Sequence, residues 1–222
     1  MKCSVCSNEI NENYCSNCGQ YFKNERISTK SVFEDLFGNI FSLDKSFYNN
    51  IRTGIINPKI IILNYWNGFR RYYFSPSKFL VIASLLFVIQ IAFFNNFFGI
   101  IVNSKVAPQF SLLFVIILVL SLFSFITYLK YKKTFYEHLI LNIYNTSLWS
   151  IIFVPISMIL SVLNTDKTIK TVFLLFYLLL IIVWNSKVFE MKKYKRFRYV
   201  TLNIILIVII PLVVELFRKF TS

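Results

Sequence analysis

Groups that do chemistry are scarce in this chain. Its 222 residues include one histidine, His138, and ten Asp and Glu against 24 Lys and Arg. No Gly-x-Gly-x-x-Gly, Walker segment, Gly-x-Ser-x-Gly or His-Glu-x-x-His occurs, which excludes the familiar forms of dinucleotide, nucleotide, serine-hydrolase and zinc-protease chemistry. Charge is scarcest where the chain is most apolar: no Asp, Glu, Lys or Arg falls inside the long apolar runs before Glu215. Intramembrane charge is the usual mark of ion and proton paths, so coupled transport lacks its best signature. Residues 1–30 have no apolar core ahead of a small-residue cleavage site, so no cleavable signal peptide is expected.

What fills the chain is apolar: 56% hydrophobic residues, 18% aromatic and only five glycines, a composition foreign to ordinary soluble domains. A hydrocarbon core of ~30 Å takes ~20 residues of helix. Five runs are read as spans on that basis, at 79–102, 110–129, 139–163, 171–186 and 199–217. The first carries Gln90, Asn95 and Asn96, so its far end is expected to leave the bilayer or pack inside the bundle. The last two have short apolar cores and rely on Lys170, Lys187, Arg198 and Arg218 snorkelling to the interface. The fold class predicted is therefore an all-α membrane protein with a bundle over 79–217.

Five spans put the termini on opposite sides, and the basic residues test that count. Only Lys105, Lys167, Lys170, Arg218 and Lys219 fall on one side, and the other nineteen Lys and Arg on the side of the N-terminus. Cytoplasmic loops collect Lys and Arg. The N-terminus is thus predicted inside a bacterial cell membrane and the C-terminus outside, and the net charge of +14 needs no nucleic acid. The run 192–199, which interleaves bases and aromatics, is read as a cytoplasmic loop drawn to anionic lipid headgroups.

Residues 28–78 are read as amphipathic or interfacial helices. Ser31-x-x-Glu34 is a capping box followed by an apolar stripe from Phe33 to Phe41. Asn57 as N-cap, Pro58 at the first helical position and Gly68 just past the end frame a second helix. It is too short to cross a bilayer, so an interfacial or re-entrant segment is expected, with Arg70 and Arg71 facing lipid phosphates.

All four cysteines lie in the first eighteen residues, as Cys3-x-x-Cys6 and Cys15-x-x-Cys18. Two such turns approaching from opposite sides supply four thiolates to a tetrahedral ion, and Cys3, Cys6, Cys15 and Cys18 are assigned to a structural zinc in a ribbon over 1–22. The alternatives are disulfides, which a reducing interior disfavours, free thiols, and redox use of one pair. Gly19 suits the left-handed position such a turn needs, and Ser7 suits it less well. With four sulfurs no open position remains for a bound water, so no catalysis is expected at the metal. Val5, Ile10, Tyr14 and Tyr21 make no core, and zinc is expected to supply the head's folding energy.

These residues, together with Tyr14-Cys15-x-x-Cys18-Gly19-Gln20, Arg26-Ile27-Ser28, Asn57-Pro58, Tyr65-x-x-Gly68-x-Arg70, Tyr73 and Pro76, resemble a bacterial family of zinc-ribbon membrane proteins known only as a domain of unknown function. The resemblance covers roughly the first hundred residues. It implies a membrane location and a ribbon, and it lends no activity.

His138, beside Glu137, is expected to be an interfacial residue, since sequence neighbours on a helix do not face each other. Asn95, Asn96, Asn142, Asn145, Asn185 and Asn203 are expected to bond helix to helix. The expectation is an interaction, assembly or regulatory protein, not an enzyme, presenting its ribbon to a protein partner. The alternatives are a small-solute transporter or channel lined by asparagines, and a lipid-modifying enzyme using Arg70, Arg71 and His138.

Overall fold

The computed structural model describes residues 2–4, 6–10, 13–22, 28, 47–69, 75–101 and 108–221. The capping box at Ser31 and the paired Arg70 and Arg71 lie outside them. Among the described residues the chain forms α1 (Phe47–Ile56), α2 (Pro58–Trp66), α3 (Pro76–Phe94), a hairpin of β1 (Asn96–Phe97) and β2 (Ile100–Ile101), α4 (Pro108–Thr127), a 3-10 turn (Leu129–Tyr131), α5 (Phe135–Val162), α6 (Lys167–Val188) and α7 (Lys193–Thr221). The protein is thus mostly helical. Three of these helices, α3, α5 and α6, are long and apolar enough to cross a membrane.

The central helix is α5, which packs against α3, α4 and α6 and also touches α1 and α2. Its buried stretch is rich in polar side chains, including Asn142, Asn145, Thr146, Ser147 and Ser150, because surrounding helices rather than lipid cover it. Asn145 donates to the side-chain oxygen of Asn185 at 2.6 Å, Asn185 donates to that of Asn142 at 2.7 Å, and Asn142 donates to the His138 carbonyl at 2.9 Å. A second tie from α5 to α6 joins the Ser150 and Tyr177 hydroxyls at 2.8 Å. Thr134 and Glu137 open the helix with a reciprocal capping box, a pattern legible as Thr-x-x-Glu but missed in the sequence reading.

Two segments, 79–102 and 192–199, take a different backbone form from the one read in the sequence. The 79–102 run does not stay helical: α3 stops at Phe94, where Asn95 turns left-handed at φ 53°. Phe98 and Gly99 follow with φ of 45° and 84°, the paired positive values that close a two-residue hairpin. The hairpin returns Phe97 and Phe98 into the bundle, both buried, with Phe97 packed on Phe87 and Tyr177 and Phe98 stacked on Phe173. Gln90 donates to the Asn96 carbonyl at 2.8 Å and so holds the turn against α3. The second correction is the run 192–199, which is not a loop: α7 begins at Lys193. Its Lys and Arg are good helix formers, and no Gly or Pro interrupts them before Pro211.

The short helix α2 follows its punctuation, with Pro58 in its first turn and Gly68 beyond its end at φ 91°. Its apolar surface is used against protein: Ile61, Ile62, Tyr65 and Trp66 are buried, while Ile60 faces outward. Trp66 donates its indole N–H to the Glu137 carbonyl at 3.1 Å, Tyr65 meets Tyr144 edge-on, and Trp184 donates to the Ile55 carbonyl at 2.9 Å. The α1–α2 pair is thereby fixed to the bundle end that carries Lys133 and Lys187.

Candidate metal centre

The head is built twice from one local design, offset by twelve residues. Cys3 N–H donates to the Asn8 carbonyl at 2.7 Å, and Cys15 N–H to the Gln20 carbonyl at 2.8 Å. Ser7 N–H returns to the Cys3 carbonyl at 3.1 Å, as Gly19 N–H does to the Cys15 carbonyl at 2.9 Å. Lys2 pairs with Glu9, and Tyr14 with Tyr21, in the corresponding antiparallel bridges. Each turn closes only if the residue after its second cysteine is left-handed, and both are, Ser7 at φ 61° and Gly19 at φ 69°. Serine accepts this at a cost of roughly 1–2 kcal/mol that glycine does not bear.

The two turns bring all four sulfurs together. The Sγ atoms of Cys3, Cys6, Cys15 and Cys18 lie within 4.8 Å of one another, with Cys6 to Cys15 at 3.4 Å and Cys3 to Cys18 at 3.5 Å. A tetrahedron of thiolates ~2.3 Å from a common ion has edges of about 3.8 Å, so the set fits a metal ion. The cysteines are free rather than disulfide-bonded. Their electrostatics differ. The Cys6 thiol is drawn down to about 6, chiefly by the Asn8 backbone N–H, while burial pushes Cys18 up to about 12 against the Gln20 backbone N–H. The amides that steady the two sulfurs again stand twelve residues apart. Gln20, buried, donates its side-chain N–H to the Tyr21 carbonyl at 3.0 Å.

The apolar cover of the cluster is not the one expected from sequence. Cys3, Ile10, Cys15 and Phe69 form a small buried group, with Phe22 packed beside them. Phe22 forms a bridge with Phe69, and their rings lie 5.2 Å apart. Phe69 stands just past α2, so the head takes part of its core from the segment fixed to the bundle. The repeat offers one sequence signal: Ile10 and Phe22 occupy equivalent positions. Nothing local marks Phe69.

Other candidate residues have other positions. His138 is fully buried within the protein: Ser124 lies 2.8 Å from its Nδ1, and Tyr128 and Phe189 lie beside its ring. Its Nε2 has no partner among the described residues. Asn95 ends α3, while Asn96 donates to the Phe94 carbonyl at 2.7 Å and accepts from the Ser161 hydroxyl of α5 at 3.5 Å, so Asn95 serves local structure and Asn96 also ties the hairpin to α5. Asn203 bonds back to the Tyr199 carbonyl of its own helix at 2.9 Å. Compared with protein-family models, curated proteins and solved structures, the chain finds no match.

Proposed function

We propose that this protein is a membrane-embedded interaction protein that uses a cytoplasmic, zinc-stapled head to engage a protein partner in assembly or regulation, and that it is not an enzyme. The carrying observation is the closed set of four sulfurs, all within 4.8 Å of each other. Four thiolates complete the shell zinc prefers in structural sites and leave no position for a substrate or water. Zinc then serves to hold the shape of a head too small to fold on its own apolar content.

The orientation rests on charge. Nineteen of the 24 Lys and Arg gather on the side of the head if the chain crosses a bacterial inner membrane five times, through α3, α4, α5, α6 and α7. Two of those crossings rest on length: α4 has 20 residues and α7 has 29, enough for ~30 Å at ~1.5 Å per residue. The amides of Asn142, Asn145 and Asn185 bond to one another, which supports a packing role over a polar path.

The test is in-cell crosslinking from the head of the tagged full chain, with metal content measured on the purified protein. The expected result is about one zinc per chain and a specific crosslinked protein that disappears in Cys15→Ser. A metal-free wild type, or a crosslinking pattern identical with and without Cys15, overturns the reading. A tag at Met1 accessible from outside intact cells overturns the orientation.

A further inference from the structure

We propose that the basic end of the bundle holds a phosphate-bearing anion at a site made by Tyr128, Tyr131, Tyr199 and Arg196. The three tyrosine rings converge from two parts of the chain. Tyr128 lies 6.2 Å from Tyr131 and 5.3 Å from Tyr199, and Tyr131 lies 6.3 Å from Tyr199. Phe189 stacks on Tyr128 at 4.3 Å and closes one side. Arg196 precedes Tyr199 by one turn of α7 and so shares its face. Its positive charge bears on the Tyr131 phenol.

Two donors at this place are enclosed and unanswered. The Tyr128 hydroxyl and the Arg196 Nε are buried atoms with no hydrogen-bond partner among the described residues. Leaving such groups unpaired is costly, and more so for a charged one. The two carboxylates closest to this end in sequence are both engaged elsewhere: Glu137 with Thr134 and Lys133, and Glu190 with Lys59. The missing element is an acceptor with several oxygens and negative charge. Phosphate matches it: the guanidinium fork fits two of its oxygens, and a phenol reaches another. Nine Lys and Arg in the segments 130–133 and 187–198 make this the end toward which anions are drawn.

The phosphate can belong to a lipid headgroup or to a soluble molecule. Tyr194 and Phe197, 80% and 73% exposed on the same first turns of α7, suit the boundary between headgroups and acyl chains. The site is independent of the cysteine head, so its failure leaves the proposed function standing, and the converse holds.

The full-length protein is purified in neutral detergent, and two probes are used. One is inorganic phosphate titrated at constant ionic strength. The other is nanodiscs of phosphatidylcholine with or without phosphatidylglycerol, followed by native mass spectrometry for retained lipid. Wild type is expected to show a rise in thermal midpoint with phosphate, or retention of the anionic lipid, and the responding arm names the source. Arg196→Gln and Tyr128→Phe should each weaken the responding arm about tenfold, and Arg196→Lys less, while zinc content stays unchanged. Wild type responding to neither probe overturns the proposal. So does equal response in wild type and Arg196→Gln, or a Tyr128→Phe variant that is more stable with binding intact, since the phenol then needs no acceptor. If Arg196→Gln does not fold, Tyr128→Phe alone decides by the same criterion.

Discussion

Asn145 and Asn185 face each other across the α5–α6 interface, joined by a 2.6 Å hydrogen bond between their side chains. Asn185 also donates to Asn142, so one amide on α6 clamps two amides spaced three apart on α5. Buried hydrogen bonds between helices in membranes contribute ~0.6 kcal/mol on average. Asn185→Leu removes two of them and strands both partners, and a loss of about 1–2 kcal/mol is expected. Denaturant unfolding in mixed micelles measures it. Asn145→Leu with Asn185→Leu should cost less than the two single changes added together, because they share a bond. Strict additivity would mean that the contact carries no energy.

The left-handed Ser7 gives a test of opposite sign. Its twelve-residue counterpart Gly19 holds the same conformation, and the Ser7 side chain is exposed. Ser7→Gly is therefore expected to stabilise the metal-bound head by about 1 kcal/mol, or roughly fivefold in zinc affinity. Competition with a chromophoric chelator reads this directly. A weaker or unchanged affinity would show that Ser7 is not strained.

Metal affinity should also depend on pH in one direction. Four thiols bind as thiolates, so loading releases protons and affinity falls as pH falls. The sign follows from the bound state alone: acidification favours the protonated, metal-free head, whichever sulfur holds its proton longest. Zinc competition from pH 8 downward checks it. An affinity flat in pH would argue against coordination by these sulfurs.

The sequence carried the cysteine site because Cys-x-x-Cys encodes its geometry within four residues. It carried α2 for a similar reason, since Pro58 and Gly68 mark its ends locally. The apolar runs showed which stretches are helical but not where α3 stops. The hairpin at Asn96 to Ile101 depends on Phe98 taking a left-handed conformation, which phenylalanine disfavours in isolation and which burial against Phe153 and Phe173 sustains. His138 reads as interfacial in the sequence because it stands at the start of the third apolar run. Its burial follows from Ser124, Tyr128 and Phe189, contacts that exist only after the helices pack. The tyrosine and arginine cluster was invisible for the same reason.

Phe69 tests whether the head and the bundle stabilise one another. It is buried among Cys3, Ile10 and Cys15, yet the segment it follows is tied to the bundle by the bond from Trp66 to the Glu137 carbonyl. Phe69→Ala removes most of the apolar cover over the sulfurs, and Phe-to-Ala changes in cores cost about 3–5 kcal/mol. Zinc should then leave to a chelator at least tenfold faster, and protease should cut sooner within residues 1–22. The bundle should keep its unfolding midpoint to within a small shift, because α2 retains Trp66, Tyr65 and Ile62. Trp66→Phe separates the two ends of this link: it keeps a ring against Phe189 and drops the bond to the carbonyl. Its expected effect is about 1 kcal/mol on the bundle, with a smaller acceleration of zinc loss than Phe69→Ala gives. Zinc release unaffected by Phe69→Ala would mean that the head holds its metal without help from the segment beyond α2.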